Sequence, residues 1–233
     1  MQHETQPTEE SIRITEIQGR ETSSILRPLE CRASDGNRYF IKTRRSDKNP
    51  LLCEWVCSKL AQALELPCPP VCIAWLPKEL LDESNHSDYD LVAGWSFGSL
   101  AVDFADTFPK AVANQIPDDL RLRVLAFDHW IHNSDRRDQN PNLLWQAREK
   151  QLWLIDHHLT LSPDPVRKSS DTHIFREDWN TCWGNNNADE IIEWLRGGLD
   201  ELDGIFAAIP PEWLNAQEDF LTKTRALLTR RLP

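Results

Sequence analysis

The sequence predicts an α+β chain in two parts: an antiparallel sheet with one main helix over residues 11–93, and a mostly helical stretch over residues 94–233. Residues 1–10 precede both as a loose segment. Three observations lead to this division. Short segments rich in β-branched and aliphatic residues crowd the first part. A helix that starts on a proline interrupts them. Beyond Gly94 the apolar residues recur at helical spacing instead.

In chain order, "MQHETQPTEE" is polar and carries a proline, too poor in apolar side chains to pack. "IRITEI", "SSILRPLECRA" and "RYFIKTR" read as strands, and the Asp-Gly pair in "SDGN" favours a tight hairpin between the last two. Asn49 offers a capping side chain and Pro50 takes the first helical position; Leu52, Val56, Leu60 and Ala63 then recur until "LPCPP" stops the helix. "VCIAWL" and "YDLVAGW" read as two further strands around the polar loop "DESNHSD". "PDDLRLRVLAFDHWIHN" begins with acidic residues, which suit the positive end of a helix dipole. "ADEIIEWLRGGLDELDGIF" and "PEWLNAQEDFLTKTRALLTRRL" are helical patterns as well. Between these, "NLLW" and "LWLID" form two short strands joined by "QAREKQ", followed by an irregular stretch from Leu159 to Ser170.

A chain of 233 residues with 40% hydrophobic content and ten tryptophans can bury the core of one large domain or of two lobes. The formal charge of -11, with basic residues clustered only in groups such as "KTRR", argues against a nucleic-acid duplex or an anionic membrane as the main partner. The first residues lack the apolar centre of a signal peptide, and no run approaches the ~20 apolar residues of a membrane span. The expectation is a cytoplasmic protein with reduced cysteines. Cys53/Cys57 and Cys68/Cys72 are spaced as a zinc site would need, yet Cys53 and Cys57 also share a helical stripe with Leu60 and Leu64, where buried thiols fill space.

The chemistry concentrates in a few residues. Lys42 ends the strand "YFIK", Glu54 lies in the first helix, Asp135 and Asn140 stand five apart in "HNSDRRDQNPNLLW", and Asp156 closes "LWLID". Phosphoryl transfer from ATP is mostly positioning and charge neutralisation. It needs a lysine on the phosphates, a carboxylate near the acceptor hydroxyl and oxygen ligands for magnesium. All of these occur here in order, with Glu54 placed to hold Lys42 by an ion pair and Asn140 and Asp156 suited to the metal. No G-x-G-x-x-G loop is present. After Gly19 comes "RETSSIL", so backbone N–H groups and the hydroxyls of Thr22, Ser23 or Ser24 would meet the phosphates.

The segments "DGNRYFIKTR", "CEWVCSKLAQALELPCPP", "GWSFGSL", "FDHWIHNSDRRDQNPNLLW" and "LWLIDHHL" together resemble the HipA-like kinases, especially their short standalone members, from about Gly19 to about Leu159. The resemblance implies a bilobal protein-kinase-like fold that uses ATP and magnesium. It makes Asp135 the catalytic aspartate, Asn140 and Asp156 the metal ligands, Lys42 the phosphate lysine and Glu54 its partner, with Arg136 following the catalytic aspartate as in other members. Adenine would lie near "DLVAG" and "WSFGSL". The expected reaction moves the γ-phosphoryl group of ATP to a hydroxyl, a serine or threonine of a protein substrate. Asp156 is followed by His157 and His158 instead of Phe-Gly. The chain is much shorter than the HipA toxins, so their antitoxin or another regulatory partner is not implied.

Two other classes stay open. His129 and His132 precede Asp135, and "IDHH" adds two more imidazoles to a carboxylate, a donor set for a metal-dependent hydrolase. A pseudokinase or nucleotide-binding interaction module would keep the fold without the chemistry. Taken singly, a strand-end lysine and a helical glutamate are ordinary surface residues. Five such residues in sequence order, each on the expected type of element, favour the kinase.

Overall fold

The computed structural model describes residues 11–21, 27–43, 50–83, 91–162, 171–184, 187–215, 217 and 219–232. The chain divides into two compact units, one of residues 1–52, 70–102 and 210–215, the other of residues 53–69, 103–209 and 216–233. Among the described residues no helix is long and apolar enough to cross a membrane.

The first unit is built on five strands: β1 (Ser11–Arg20), β2 (Leu29–Ala33), β3 (Arg38–Lys42), β4 (Val71–Leu76) and β5 (Gly94–Leu100). They close into a barrel in the order β1-β2-β3-β5-β4. The expected sheet was wholly antiparallel; the structure instead joins β1 to β4 in parallel, through Ser11–Arg13 opposite Ile73–Trp75. Bulges cause this. β1 is ten residues long and its register with β2 shifts between Ile14 and Glu16 and again between Ile17 and Gly19. Each shift bends and twists the strand, so its first residues swing to the far edge of the sheet. Closure leaves no open edge there.

Alternation supplies the barrel's interior, where Ile14, Leu29, Cys31, Ala33, Tyr39, Ile41, Ala74 and Leu76 pack together. The hairpin between β2 and β3 turns at Gly36, whose φ of +83° suits glycine. Asp35 accepts from the Tyr39 hydroxyl at 2.8 Å there, and its carboxyl lies below the ordinary value because hydrogen bonds from Asn37 and Tyr39 outweigh burial. β5 begins at Gly94, later than "YDLVAGW" suggested, and takes in "WSFGSL". Gly98 within it allows close packing, since a Cβ there would sit 2.8 Å from Cys72 Sγ and 3.2 Å from Ile41 Cδ1. α2 (Lys78–Glu83) follows β4, and α7 (Pro211–Leu214) buries Trp213, whose indole donates to the Trp95 carbonyl at 2.9 Å.

α1 (Pro50–Ala63) starts on the expected proline, and from Cys53 onward it belongs to the second unit. With it are α3 (Asp118–Trp130), a three-stranded sheet of β6 (Asp106–Thr107), β7 (Leu143–Gln146) and β8 (Gln151–Leu154), α4 (Trp179–Trp183), α5 (Asn187–Asp200), α6 (Leu202–Ala207) and α8 (Phe220–Arg230). The two C-terminal helices expected from periodicity each break in two, at Glu201 and after Leu214. Three tryptophans fasten this unit through their indole N–H groups: Trp55 to the Ile205 carbonyl at 2.9 Å, Trp130 to Leu228 at 3.0 Å and Trp194 to Leu64 at 3.2 Å. Trp55 and Trp130 place their large apolar bodies in the core and Trp194 is half-buried, while the one polar atom of each finds a carbonyl.

Candidate active site

The site begins in α3. Val124, Leu125, Ala126, Phe127 and Trp130 are buried there, and so is Asp128, at 1% exposure. A carboxylate in that position must be paired. It accepts from the Arg136 guanidinium, from His173 Nε2 at 2.9 Å and from the Asn133 amide at 2.9 Å. Burial alone would push the Asp128 carboxyl upward; the cation of Arg136 and the His173 hydrogen bond override it and hold the group well below the usual carboxylate range.

Arg136 carries the network onward. Its guanidinium donates to the Asn142 carbonyl and lies 3.3 Å from His157 Nε2. A guanidinium only donates, so Nε2 accepts and Nδ1 carries the proton toward Ser58 Oγ at 3.3 Å. The His157 backbone N–H then donates to Glu54 Oε2 at 3.1 Å. Helix α1, the loop after α3 and the segment after β8 are thereby tied into one buried polar chain. Thr160 strengthens the last tie, donating to the His157 carbonyl at 2.7 Å and lying 3.2 Å from Cys57 Sγ.

Asp135 sits on the loop this network supports. Its Oδ1 accepts from Arg137 at 2.9 Å, and its Oδ2 from the amides of Asn140 at 2.8 Å and Asn142 at 3.0 Å. Reciprocal backbone hydrogen bonds between Arg137 and Asn140, at 2.9 and 3.1 Å, close the turn that brings Asn140 back to Asp135. With Nδ2 spent on Asp135, the Asn140 Oδ1 is the amide's remaining acceptor.

Asp156 stands two residues beyond β8 at φ +61°, a left-handed conformation that aspartate tolerates better than most residues. It contacts His158 Nδ1, which is 3.9 Å from Glu54 Oε1. Glu54, Asp156 and His158 each offer a ligand atom, all within 4.8 Å of one another, and they are the one such group of three among the described residues.

Of the residues singled out in the sequence, the second unit brings Asp135 together with Asn140, and Asp156 together with Glu54. Lys42 ends β3 in the first unit, opposite Phe97 of β5. Thr22, Ser23 and Ser24 lie outside the described residues. No cysteine joins the metal-competent group: Cys53 Sγ donates to the Thr160 carbonyl at 3.5 Å, and burial pushes its thiol up to about 12. His129 packs edge-on against Trp179 and Trp183, and His132 faces the Ser162 carbonyl and Arg231, so neither belongs to the metal-competent group either. Asp128, Asn142 and His173 escaped the sequence reading. Asp128 left a signal, a lone carboxylate in the run "VLAFDHW"; His173, in a loop, left none.

A family model described as HipA-like kinase matches residues 14–231. The chain belongs to the HipA-like kinase family. Among solved structures it is similar to the Helicobacter pylori proinflammatory kinase CtkA, at 12% identity and a TM-score of 0.54, the match covering 94% of this chain and 91% of that one. It is also similar to the Golgi casein kinase with Mn and ADP bound, at 13% identity and a TM-score of 0.45, over 96% of this chain and 70% of that one. The first likeness shows a kinase-like fold. No curated protein matches the chain.

Proposed function

We propose that this HipA-like kinase transfers the γ-phosphoryl group of ATP to a serine or threonine hydroxyl of a protein, with magnesium as the cation. The observation that carries the proposal is the Asp135–Asn140 hydrogen bond of 2.8 Å, which joins a carboxylate and an amide of the kinase type on one loop of the second unit. In this reading the chain acts as two lobes, residues 11–93 and 94–233, with residues 1–10 outside them. Lys42 binds the phosphates together with Ser23 and Ser24, and Glu54 supports Lys42.

Asp156 and Asn140 would hold a hard dication through oxygen, the first by its carboxylate and the second by its amide Oδ1. When bound, the cation neutralises charge on the phosphates. Asp135 does the local chemistry. It orients the acceptor hydroxyl and takes its proton as the hydroxyl oxygen bonds to the γ-phosphorus; the bond from that phosphorus to the bridging oxygen breaks, leaving ADP and a phosphoester. The hydrogen bonds from Arg137, Asn140 and Asn142 fix the carboxylate in place for that task.

A protein acceptor is favoured over a lipid because a net charge of -11 opposes docking at an anionic surface, and the same charge disfavours nucleic acid. All six cysteines are free thiols, which suits the cytoplasm. The test is transfer of label from γ-labelled ATP, with magnesium, to protein in a lysate and to the chain itself, followed by phosphopeptide mapping. Label on serine or threonine supports the proposal. Nucleotide binding with no transfer to any acceptor would make the chain a pseudokinase, and label confined to lipids or metabolites would replace the acceptor class.

A further inference from the structure

We infer that His158 is a metal ligand, and that with Glu54 and Asp156 it forms a site selecting a first-row transition-metal dication over magnesium. This rests on the assignment of Asp156 as the metal-holding carboxylate and departs from the proposed function in two respects: the resident ion is a transition-metal dication in place of magnesium, and Glu54 serves as its ligand instead of as the partner of Lys42.

Three features support the assignment. The first is direction. Of the two adjacent histidines, His157 turns both ring nitrogens into the fold, toward Ser58 and Arg136, whereas His158 turns Nδ1 toward the two carboxylates. The second is spacing. Ligands held at about 2.0–2.2 Å from one ion lie within about 4.4 Å of each other. The three donor atoms already lie within 4.8 Å, so binding requires only a small closure.

The third feature is the support around the donors. Glu54 is fixed by its place in α1, at 1% exposure, and by the His157 N–H; side-chain exposure is 15% for Asp156 and 9% for His158. Ligands held this way lose little freedom when an ion arrives. The donor set then decides the ion. Magnesium favours an all-oxygen shell, whereas an imidazole nitrogen beside two carboxylates suits manganese, iron or zinc.

The experiment uses the full-length protein with Mn2+ as the probe, read by electron paramagnetic resonance. Titration gives the affinity, and electron spin echo modulation reports whether a histidine nitrogen is bonded to the ion. The wild type should bind Mn2+ at least about tenfold more tightly than Mg2+ and show nitrogen modulation. His158→Ala should lose the modulation and about tenfold or more of Mn2+ affinity, while Mg2+ affinity changes by less than about threefold. Should that variant fail to fold, His158→Gln keeps a polar side chain of similar length and carries the same test. Absence of nitrogen modulation in the wild type, or its persistence in a folded His158 variant, overturns the assignment. Phosphoryl transfer measured on the same preparations reports on the proposed function separately: modulation without transfer sinks the kinase reading alone, and transfer without modulation sinks His158 alone.

Discussion

Asp128 and Asp135 are seven residues apart, and each accepts three side-chain hydrogen bonds, yet the two carboxylates do different work. The donors to Asp128 are Asn133, Arg136 and His173, all buried at 2% exposure or less. The donors to Asp135 include Arg137 and Asn140, both exposed. The number of hydrogen bonds is therefore uninformative, and the burial of the donors decides. A carboxylate whose partners are all sealed inside serves the fold. One with two of its three partners exposed keeps an edge toward solvent, as the proposed role of Asp135 requires.

This contrast breaks most directly at Asp128. Asp128→Ala would leave the Arg136 guanidinium buried without its counter-charge, a loss of about 3–5 kcal/mol. In urea unfolding the variant should have a much lower midpoint, or should not fold at all. Asp128→Asn, which keeps the shape and removes the charge, should be nearly as damaging. A variant that unfolds like the wild type would mean that the buried network is not what holds the loop.

Asp135→Ala should behave in the opposite way. Its cost in stability is that of unpaired amides at a partly open position, about 1–3 kcal/mol. Its cost in phosphoryl transfer should be about 10²–10⁴-fold, with nucleotide affinity nearly unchanged, since the carboxylate addresses the hydroxyl and not ATP. Wild-type transfer rates in this variant would remove Asp135 from the chemistry. Asp156→Ala sharpens the contrast from the metal side: it should abolish most of the stabilisation that ATP with magnesium gives in a thermal shift assay, because a ligand bound only to the folded state raises the melting temperature by mass action.

The open carboxylate was legible in the sequence and the sealed one was not, for a physical reason. Asp135 and Asn140 stand five apart on one loop and meet through local hydrogen bonds, and Asp156 comes two residues after a strand. The partners of Asp128 come from two places in the chain, and His173 reaches it from 45 residues away, a pairing that only the tertiary fold creates. The same division runs through the fold. Hairpins and helix starts follow local rules, as at Gly36 and Pro50. Closure of the barrel through the parallel β1–β4 pair depends on two bulges that no periodicity in "SIRITEIQGR" announces.

A smaller effect separates the network from its surroundings by pH. Burial, with the Arg231 cation next, lowers the His132 pKa to about 4, and His129 is shifted down by burial and by Arg231 in the same way; Arg230 adds to the pressure on His132. Both histidines are therefore neutral in the folded chain where an unfolded chain would take up protons. The sign follows: nothing changes above about pH 6.5, and stability declines as pH falls from there toward about 4, because only the unfolded state gains protons. Asp128 acts lower. Its depressed carboxyl contributes stability that is complete above the ordinary aspartate range and is lost only as pH falls below about 4. Unfolding midpoints in urea from pH 8 to pH 3 should show a shallow decline and then a steeper one. His132→Gln should make the shallow part smaller, with His129 supplying what is left, and should leave the steep part unchanged. If the decline between pH 6.5 and 4 is the same in His132→Gln as in the wild type, His132 is protonated freely in the folded chain and its contact with Arg231 does not form in solution.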